Sequence, residues 1–113
     1  EVRRLMWDYV GIVRSNFRLG RAARRIGVIA QEVEEFYKRT KVTEALLELR
    51  NITAVAALTV RCALDRRESR GLHYNIDCPA SSEVVSPRDT VVSARETWSA
   101  PPSGPEIWSQ MGI

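Results

Sequence analysis

The sequence predicts an all-α fold: a three-helix antiparallel bundle of the spectrin-repeat-like up-down-up kind, followed by an irregular C-terminal tail. Three observations carry this prediction. Apolar residues recur at intervals of three and four in three successive segments, which is the period of one helix face. Helix-start residues, Ser15 or Asn16 and then Thr43, separate those segments. The period disappears after Arg67, and beyond Pro79 the chain turns to Ser and Pro with scattered Val. On this reading residues 1–79 form one helical domain and residues 80–113 a Ser/Pro-rich tail.

The first helix is expected from Val2 to about Arg14, burying Leu5, Tyr9 and Ile12 with Val2, Met6 and Val13 beside them. In the second, Leu19, Ala23, Ile26, Ala30, Val33 and Tyr37 alternate four and three apart, a seam suited to packing at a shallow angle. Gly20 and Gly27 fall in this helix, each costing roughly 1 kcal/mol relative to alanine in an exposed interior. Thr43 is the expected N-cap of the third helix, with Glu44 near its positive end and Val42 placed to staple against Leu47.

Apolar residues of the third helix (Leu46, Leu49, Ile52, Val55, Ala56, Leu58, Val60, Cys62 and Ala63) occupy much of its circumference. Two neighbouring helices would leave part of that surface bare, so a further covering surface is expected, and association of the chain with copies of itself is one way to supply it. Gly71 is expected to stop this helix ahead of an ordered polar loop. In the tail, Val84-Val85 and Val91-Val92 are placed to pair about Ser86-Pro87-Arg88-Asp89 as a small hairpin, with Trp98 and Trp108 as anchors.

Composition bounds the class. With 44% hydrophobic and 27% charged residues over 113 positions, the chain has the mixture of one ordinary globular domain. It has neither an apolar run of about twenty residues for a membrane span nor the pattern of a secretory signal. Glu1 opens directly into the helical period, so the expectation is a soluble piece that starts inside a helix. Cys62 sits in an apolar helical run and Cys78 in a polar loop, which suggests neither a disulfide framework nor a zinc set. Reduced thiols and a cytoplasmic location follow as expectations. The net charge of +3 divides into +5 over residues 1–78 and −2 over the remainder, so the helical part is the basic part.

Several residues invite chemical readings. His73 is the only histidine, and no Ser, Cys or acid stands beside it at a spacing that forces a triad. A structural role is favoured, then one in orienting a neighbouring domain's site, and direct chemistry last. Arg66, Arg67 and Arg70 with Glu68 have the donors to grip a carboxylate or phosphate, although a solvated helix end is the plainer reading. Arg21, Arg24 and Arg25 make the densest basic cluster, but Glu32, Glu34 and Glu35 follow it and no aromatic residues interleave, so nucleic acid is not the expected partner. Asp8 is placed to pair between helices with Arg50 or Arg61. Glycine-rich phosphate loops, paired Cys at metal spacing and a nucleophile elbow are all missing from the sequence, so no catalytic, cofactor-binding or metal residue is assigned.

Four blocks in order carry a resemblance: Leu5 to Asn16 (LMWDYVGIVRSN), Glu32 to Tyr37 (EVEEFY), Leu46 to Asn51 (LLELRN) and Arg67 to Tyr74 (RESRGLHY). Together they resemble the C-terminal domain of the L-aspartate oxidase family and, more distantly, of the flavoprotein subunits of succinate dehydrogenase and fumarate reductase. The resemblance covers residues 1–79 and does not reach the tail. It implies a parent protein that binds FAD and oxidises L-aspartate to iminoaspartate with oxygen or fumarate as acceptor, on the quinolinate route to NAD. It also implies that the catalytic and flavin-binding residues lie in upstream flavin and capping domains of the same chain. Arg67, Glu68, Ser69, Arg70 and His73 are the positions that carry over, as a seam against the flavin domain. The alternative at this point is an independent helical binding module for an acidic protein partner or nucleic acid.

Overall fold

The computed structural model describes residues 1–79 and 88–93. In chain order the elements are α1 (Val2–Tyr9), β1 (Val13–Arg14), α2 (Asn16–Arg39), α3 (Glu44–Asp65) and β2 (Tyr74–Asn75). Each long helix starts where a hydroxyl side chain can cap it. Ser15 is extended (φ −137°, ψ 154°) and its Oγ accepts a hydrogen bond from the Arg18 amide at 3.1 Å. Thr43 (φ −119°, ψ 162°) does the same for the Leu46 amide at 3.2 Å, with Glu44 in the first turn beside the positive helix end. Lys38 and Arg39 close α2 at its negative end. The link from Thr40 to Thr43 is too short for anything but an antiparallel return. Removing the exposed cap with Thr43→Ala is expected to lower stability by about 1 kcal/mol, and Thr43→Gly by only a few tenths, measured by urea unfolding.

The core lies along the α2–α3 contact. From α2 come Leu19, Ala22, Ile26, Ile29 and Val33, and from α3 Ala56, Val60, Ala63 and Leu64, all buried. Small residues at positions 56 and 63 let the two backbones approach, while Leu19, Ile26 and Val60 fill the space between them. The expected α2 seam holds at Leu19, Ile26 and Val33, but Ala23, Ala30 and Tyr37 are only half-buried and Ala22 and Ile29 lie inside instead. A helix flanked by two neighbours needs a wider apolar stripe than a two-helix seam provides.

The second neighbour is α1, which runs antiparallel to α2. Glu1 forms an ion pair with Arg25, the Arg18 guanidinium donates to the Asp8 carbonyl oxygen, and the Tyr9 ring lies 5.3 Å and 5.8 Å from the Arg18 and Arg21 guanidinium carbons. Its eight residues span only about 12 Å, against roughly 36 Å for α2. The bundle is therefore a long helical hairpin with a short third helix against the first half of α2.

The expectation that α1 runs to Arg14 is corrected: it ends at Tyr9, with Val10 as C-cap. Gly11 follows, and Val13–Arg14 is taken by a parallel ladder to Tyr74–Asn75. Ile12 and Val13, expected inside, are 62% and 63% exposed. The expected Asp8 pairing is also replaced. Asp8 lies 3.7 Å from Arg4, whereas Arg50 bonds Glu34 across the hairpin at 2.5 Å and Arg61 bonds Asp65 in its own helix. On α3, Leu47, Leu49, Val55 and Leu58 remain 40–63% exposed, so its apolar circumference is not wholly covered among the described residues. Val84 and Val85 of the expected hairpin, with Trp98 and Trp108, lie outside the described residues.

Candidate interdomain site

At one end of the bundle the loop leaving α3 folds back onto the start of α2. The helix stops at Asp65, with Arg66 (φ −93°, ψ 88°) as its C-cap, earlier than the Gly71 stop expected from sequence. Gly71 serves a different purpose. At φ +60° it opens a tight turn in which Arg70 and His73 exchange both backbone hydrogen bonds, at 2.9 and 3.1 Å. A glycine takes this left-handed conformation without the Cβ clash other residues meet there. The turn delivers Tyr74–Asn75 alongside β1 in parallel register, Val13 opposite Tyr74 and Arg14 opposite Asn75. The Tyr74 amide donates to Ile12 O and the Ile76 amide to Arg14 O, at 3.3 and 2.8 Å.

Three polar braces hold this junction. In the first, His73 uses both ring nitrogens: Nδ1 lies 2.8 Å from Arg14 Nη1 and Nε2 lies 2.8 Å from the Arg66 carbonyl oxygen. A guanidinium only donates and a carbonyl only accepts, so the pair of contacts selects the neutral tautomer with its proton on Nε2. Arg14 is itself oriented by donating from Nε to Gly11 O at 2.9 Å.

The second brace is Glu68, whose side chain is 11% exposed between two arginines. Arg66 Nη1 reaches one carboxylate oxygen at 2.6 Å and Arg70 Nε the other at 3.1 Å. Arg66 Nη2 donates further to Arg88 O and Thr90 Oγ1, tying the later segment to the same point. Loss of solvent alone would raise the Glu68 pKa, but the hydrogen bonds and charges of Arg70 and Arg66 outweigh it and hold the carboxyl below its ordinary value. A depressed carboxyl contributes stability that is complete above its unfolded pKa, near 4.5, and is lost as pH falls from there through the folded value. Glu68→Gln is therefore expected to remove part of the acid dependence of unfolding below about pH 4.5 while leaving the profile near neutrality parallel to that of the parent. Acid titration of both chains by circular dichroism checks this.

The third brace is the most buried. Asn75 is 1% exposed; its Nδ2 donates to Asn16 Oδ1 at 2.8 Å and its Oδ1 accepts from the Asp77 amide at 3.0 Å. The Ser69 hydroxyl, also buried, accepts from the Asn75 amide at 3.0 Å and lies 2.6 Å from the Cys78 carbonyl oxygen it can donate to. Asp77 Oδ2 accepts from the Asn16 amide at 2.8 Å, placing a carboxylate at the positive end of α2.

Of the residues singled out from sequence, the structure brings Glu68, Ser69, Arg70 and His73 into one junction with Arg66. Arg67 stands apart: it is exposed and among the described residues has no hydrogen-bond or ion-pair partner. Sequence reasoning missed Arg14, Asn16, Asn75 and Asp77. The Asn75-Ile76-Asp77 stretch has the form of an Asx turn, in which the Asn side chain accepts from the amide two residues on, and this was the available signal.

Chemically the junction is a clamp. Arg66 and Arg70, the candidate anion grip, are already bound to Glu68. Of the basic cluster on α2, Arg25 pairs with Glu1, while Arg21 lies over the Tyr9 and Phe17 rings. No group of three or more His, Cys, Asp or Glu residues is placed to hold a metal ion among the described residues, and Cys62 and Cys78 are free thiols. These residues do not fit a flavin dinucleotide either. The one strand-to-helix turn among the described residues, Val13 to Phe17, has no glycine for close phosphate approach, and the α2 amide end that would face an anion is occupied by Asp77. None of the described helices is long and apolar enough to cross a membrane.

The described residues form a small helical bundle closed by this clamp, and comparison with known sequences gives its family. Residues 1–100 match the family described as fumarate reductase flavoprotein C-term, and the chain belongs to that family. Its relatives bear a more particular name. L-aspartate oxidase of Yersinia pestis is 51% identical over 92 residues, which is 81% of this chain and 17% of that protein. L-aspartate oxidase of Vibrio cholerae is 57% identical over 79 residues, 70% of this chain and 15% of that protein. A chloroplastic L-aspartate oxidase of Oryza sativa is 40% identical over 111 residues, 90% of this chain and 17% of that protein. The chain thus spans about a sixth of the length of the curated relatives it matches.

Proposed function

We propose that this chain is the C-terminal helical domain of an L-aspartate oxidase, in which it packs against the catalytic body and supplies no reacting group. The observation that carries this reading is identity of about half the residues, over most of the chain, to proteins of that name. On this reading the remainder of the polypeptide binds FAD and oxidises L-aspartate to iminoaspartate, feeding quinolinate and NAD synthesis in the cytoplasm. The flavin-binding and capping domains of the same chain are its partners. Residues 1–79 are the packing unit, residues 80–113 its tail, and the Arg67, Glu68, Ser69, Arg70 and His73 loop belongs to the interdomain seam. Self-association of the chain through the bare side of α3 is part of the same proposal, since separation from the body leaves that side uncovered.

Complementation tests it. The 113-residue chain is mixed with a separately expressed, FAD-loaded body, and L-aspartate-dependent peroxide is followed, with each piece alone as control. Activity gained only on mixing is the expected result. A folded, FAD-loaded body whose activity is unchanged by the chain, while the joined polypeptide stays fully active when the domain is replaced by an unrelated helical bundle, would remove it.

A further inference from the structure

The segment 88–93 meets the end of α3 at the Arg66 guanidinium. Its residues alternate in exposure: Thr90 and Val92 are half-buried, while Asp89, Val91 and Ser93 are exposed, Val91 at 81%. A period of two belongs to an extended chain laid with one edge against a surface. The segment is not a strand of the β1–β2 sheet, so ladder pairing does not account for its position.

The sharing of the Arg66 side chain does account for it. One arm, Nη1, reaches Glu68 at 2.6 Å. The other arm, Nη2, donates to two neutral acceptors of the segment, the Arg88 carbonyl oxygen at 2.8 Å and Thr90 Oγ1 at 3.1 Å. A guanidinium is planar and rigid, so fixing one arm fixes the direction of the other. Glu68 is held in turn on its second oxygen by Arg70 Nε at 3.1 Å.

We propose that residues 88–93 are a strap latched to the C-terminal end of α3 by Arg66, and that Glu68, whose own bonds go to the two arginines, sets the latch by aiming the guanidinium that holds the strap. Glu68 is thus a positioning residue. The folded unit reaches Ser93, past the boundary at residue 79, and the family match, which runs to residue 100, includes the strap. The Arg66 carbonyl oxygen also accepts from His73 Nε2, so strap, turn and helix end are joined at a single residue. Release of the strap is therefore coupled to the loop: any change that turns the Glu68 carboxylate away frees residues 88–93 as well. The inference stands on contacts within this chain and is independent of the reaction the parent protein performs.

Limited trypsin digestion of the full-length protein tests this, with cleavage after Arg88 timed by mass spectrometry against the same bond in a synthetic peptide of residues 80–100. Cleavage of a bond held in a folded unit follows the population of its opened form. Slower cleavage after Arg88 in the protein than in the peptide is expected. Arg66→Lys keeps the charge but loses the forked grip, and is expected to speed that cleavage on the order of tenfold. Thr90→Val, which alters the strap alone, is expected to speed it about threefold. Glu68→Ala is expected to match Arg66→Lys and to add nothing to it in the double variant, the non-additivity that aiming through Arg66 requires. Cleavage after Arg61, within α3, is the control for the helices and is expected to stay slow throughout; if a loop variant opens α3 as well, Thr90→Val decides. Cleavage after Arg88 as fast in the protein as in the peptide, or unmoved by Arg66→Lys and Thr90→Val, would overturn the strap. Equal acceleration by Glu68→Ala with and without Arg66→Lys would overturn the positioning role of Glu68.

Discussion

Leu19→Ala is expected to lower the unfolding free energy of this chain by about 3 kcal/mol, the largest effect of any single substitution proposed for it. Leu19 has no exposed surface and sits in the core cluster where α2 meets its neighbours. Truncation removes the buried methyl groups and leaves a space that helices held by flanking contacts cannot close, so transfer and cavity terms add. The described helical unit is small, and a unit of this size buries a modest fraction of its surface and has little stability in reserve. A loss of that size lowers the melting temperature by roughly 12 to 24 °C for a domain of this length. Val28→Ala, on the same helix at 46% exposure, is the control and is expected to move stability by less than about 0.5 kcal/mol. Equal effects at both positions in urea unfolding would mean that the α2 core stripe is misplaced.

The second large effect is local. Asn75→Ala is expected to destabilise the β1–β2 junction by about 2 to 3 kcal/mol, because it strands the Asn16 side chain and the Asp77 amide without their partners. Both bonds are part-buried, with Asn16 half-buried and Asp77 exposed, and truncation of the fully buried Asn75 side chain also leaves a space beneath the ladder. The consequence differs from that of Leu19→Ala. Amide hydrogen exchange at Tyr74 and Ile76, whose protons hold the ladder, is expected to speed up roughly 30- to 150-fold, while Val60 in the α3 core changes far less. Uniform acceleration across α2 and α3 would show that the junction and the helical hairpin open as one unit, contrary to this expectation.

The two experiments separate what was legible in the residues from what was not. Helix starts were legible because a cap is a local device: Ser15 and Thr43 each bond an amide three residues on, and no distant partner is needed. The α2 core stripe was legible in outline for the same reason, through the spacing of Leu19, Ile26 and Val33. Its exact rotation was not, because Ala22 and Ile29, outside that spacing, are buried as well, and α1, held by contacts such as Glu1 to Arg25, gives α2 a second neighbour. The loop was recognised through Glu68, Ser69, Arg70 and His73, yet the residues they serve were missed. Arg14 and Asn16 lie 59 positions from His73 and Asn75 respectively, and nothing in local spacing connects them.

By itself the sequence determined the all-α class, the two capped long helices, the polar loop after α3 and membership of a flavoprotein C-terminal family, because each rests on local chemistry or on motif order. Only the tertiary structure decided where α1 ends, that Val13–Arg14 is a strand, that Gly71 serves a tight turn, and that the arginines of the loop are bound to Glu68. These outcomes follow from hydrogen-bond partners far apart in the chain. A backbone segment with a mild helical period yields to a ladder when the ladder satisfies its amides and carbonyls and a buried side-chain network such as that of Asn75 holds the other strand in place.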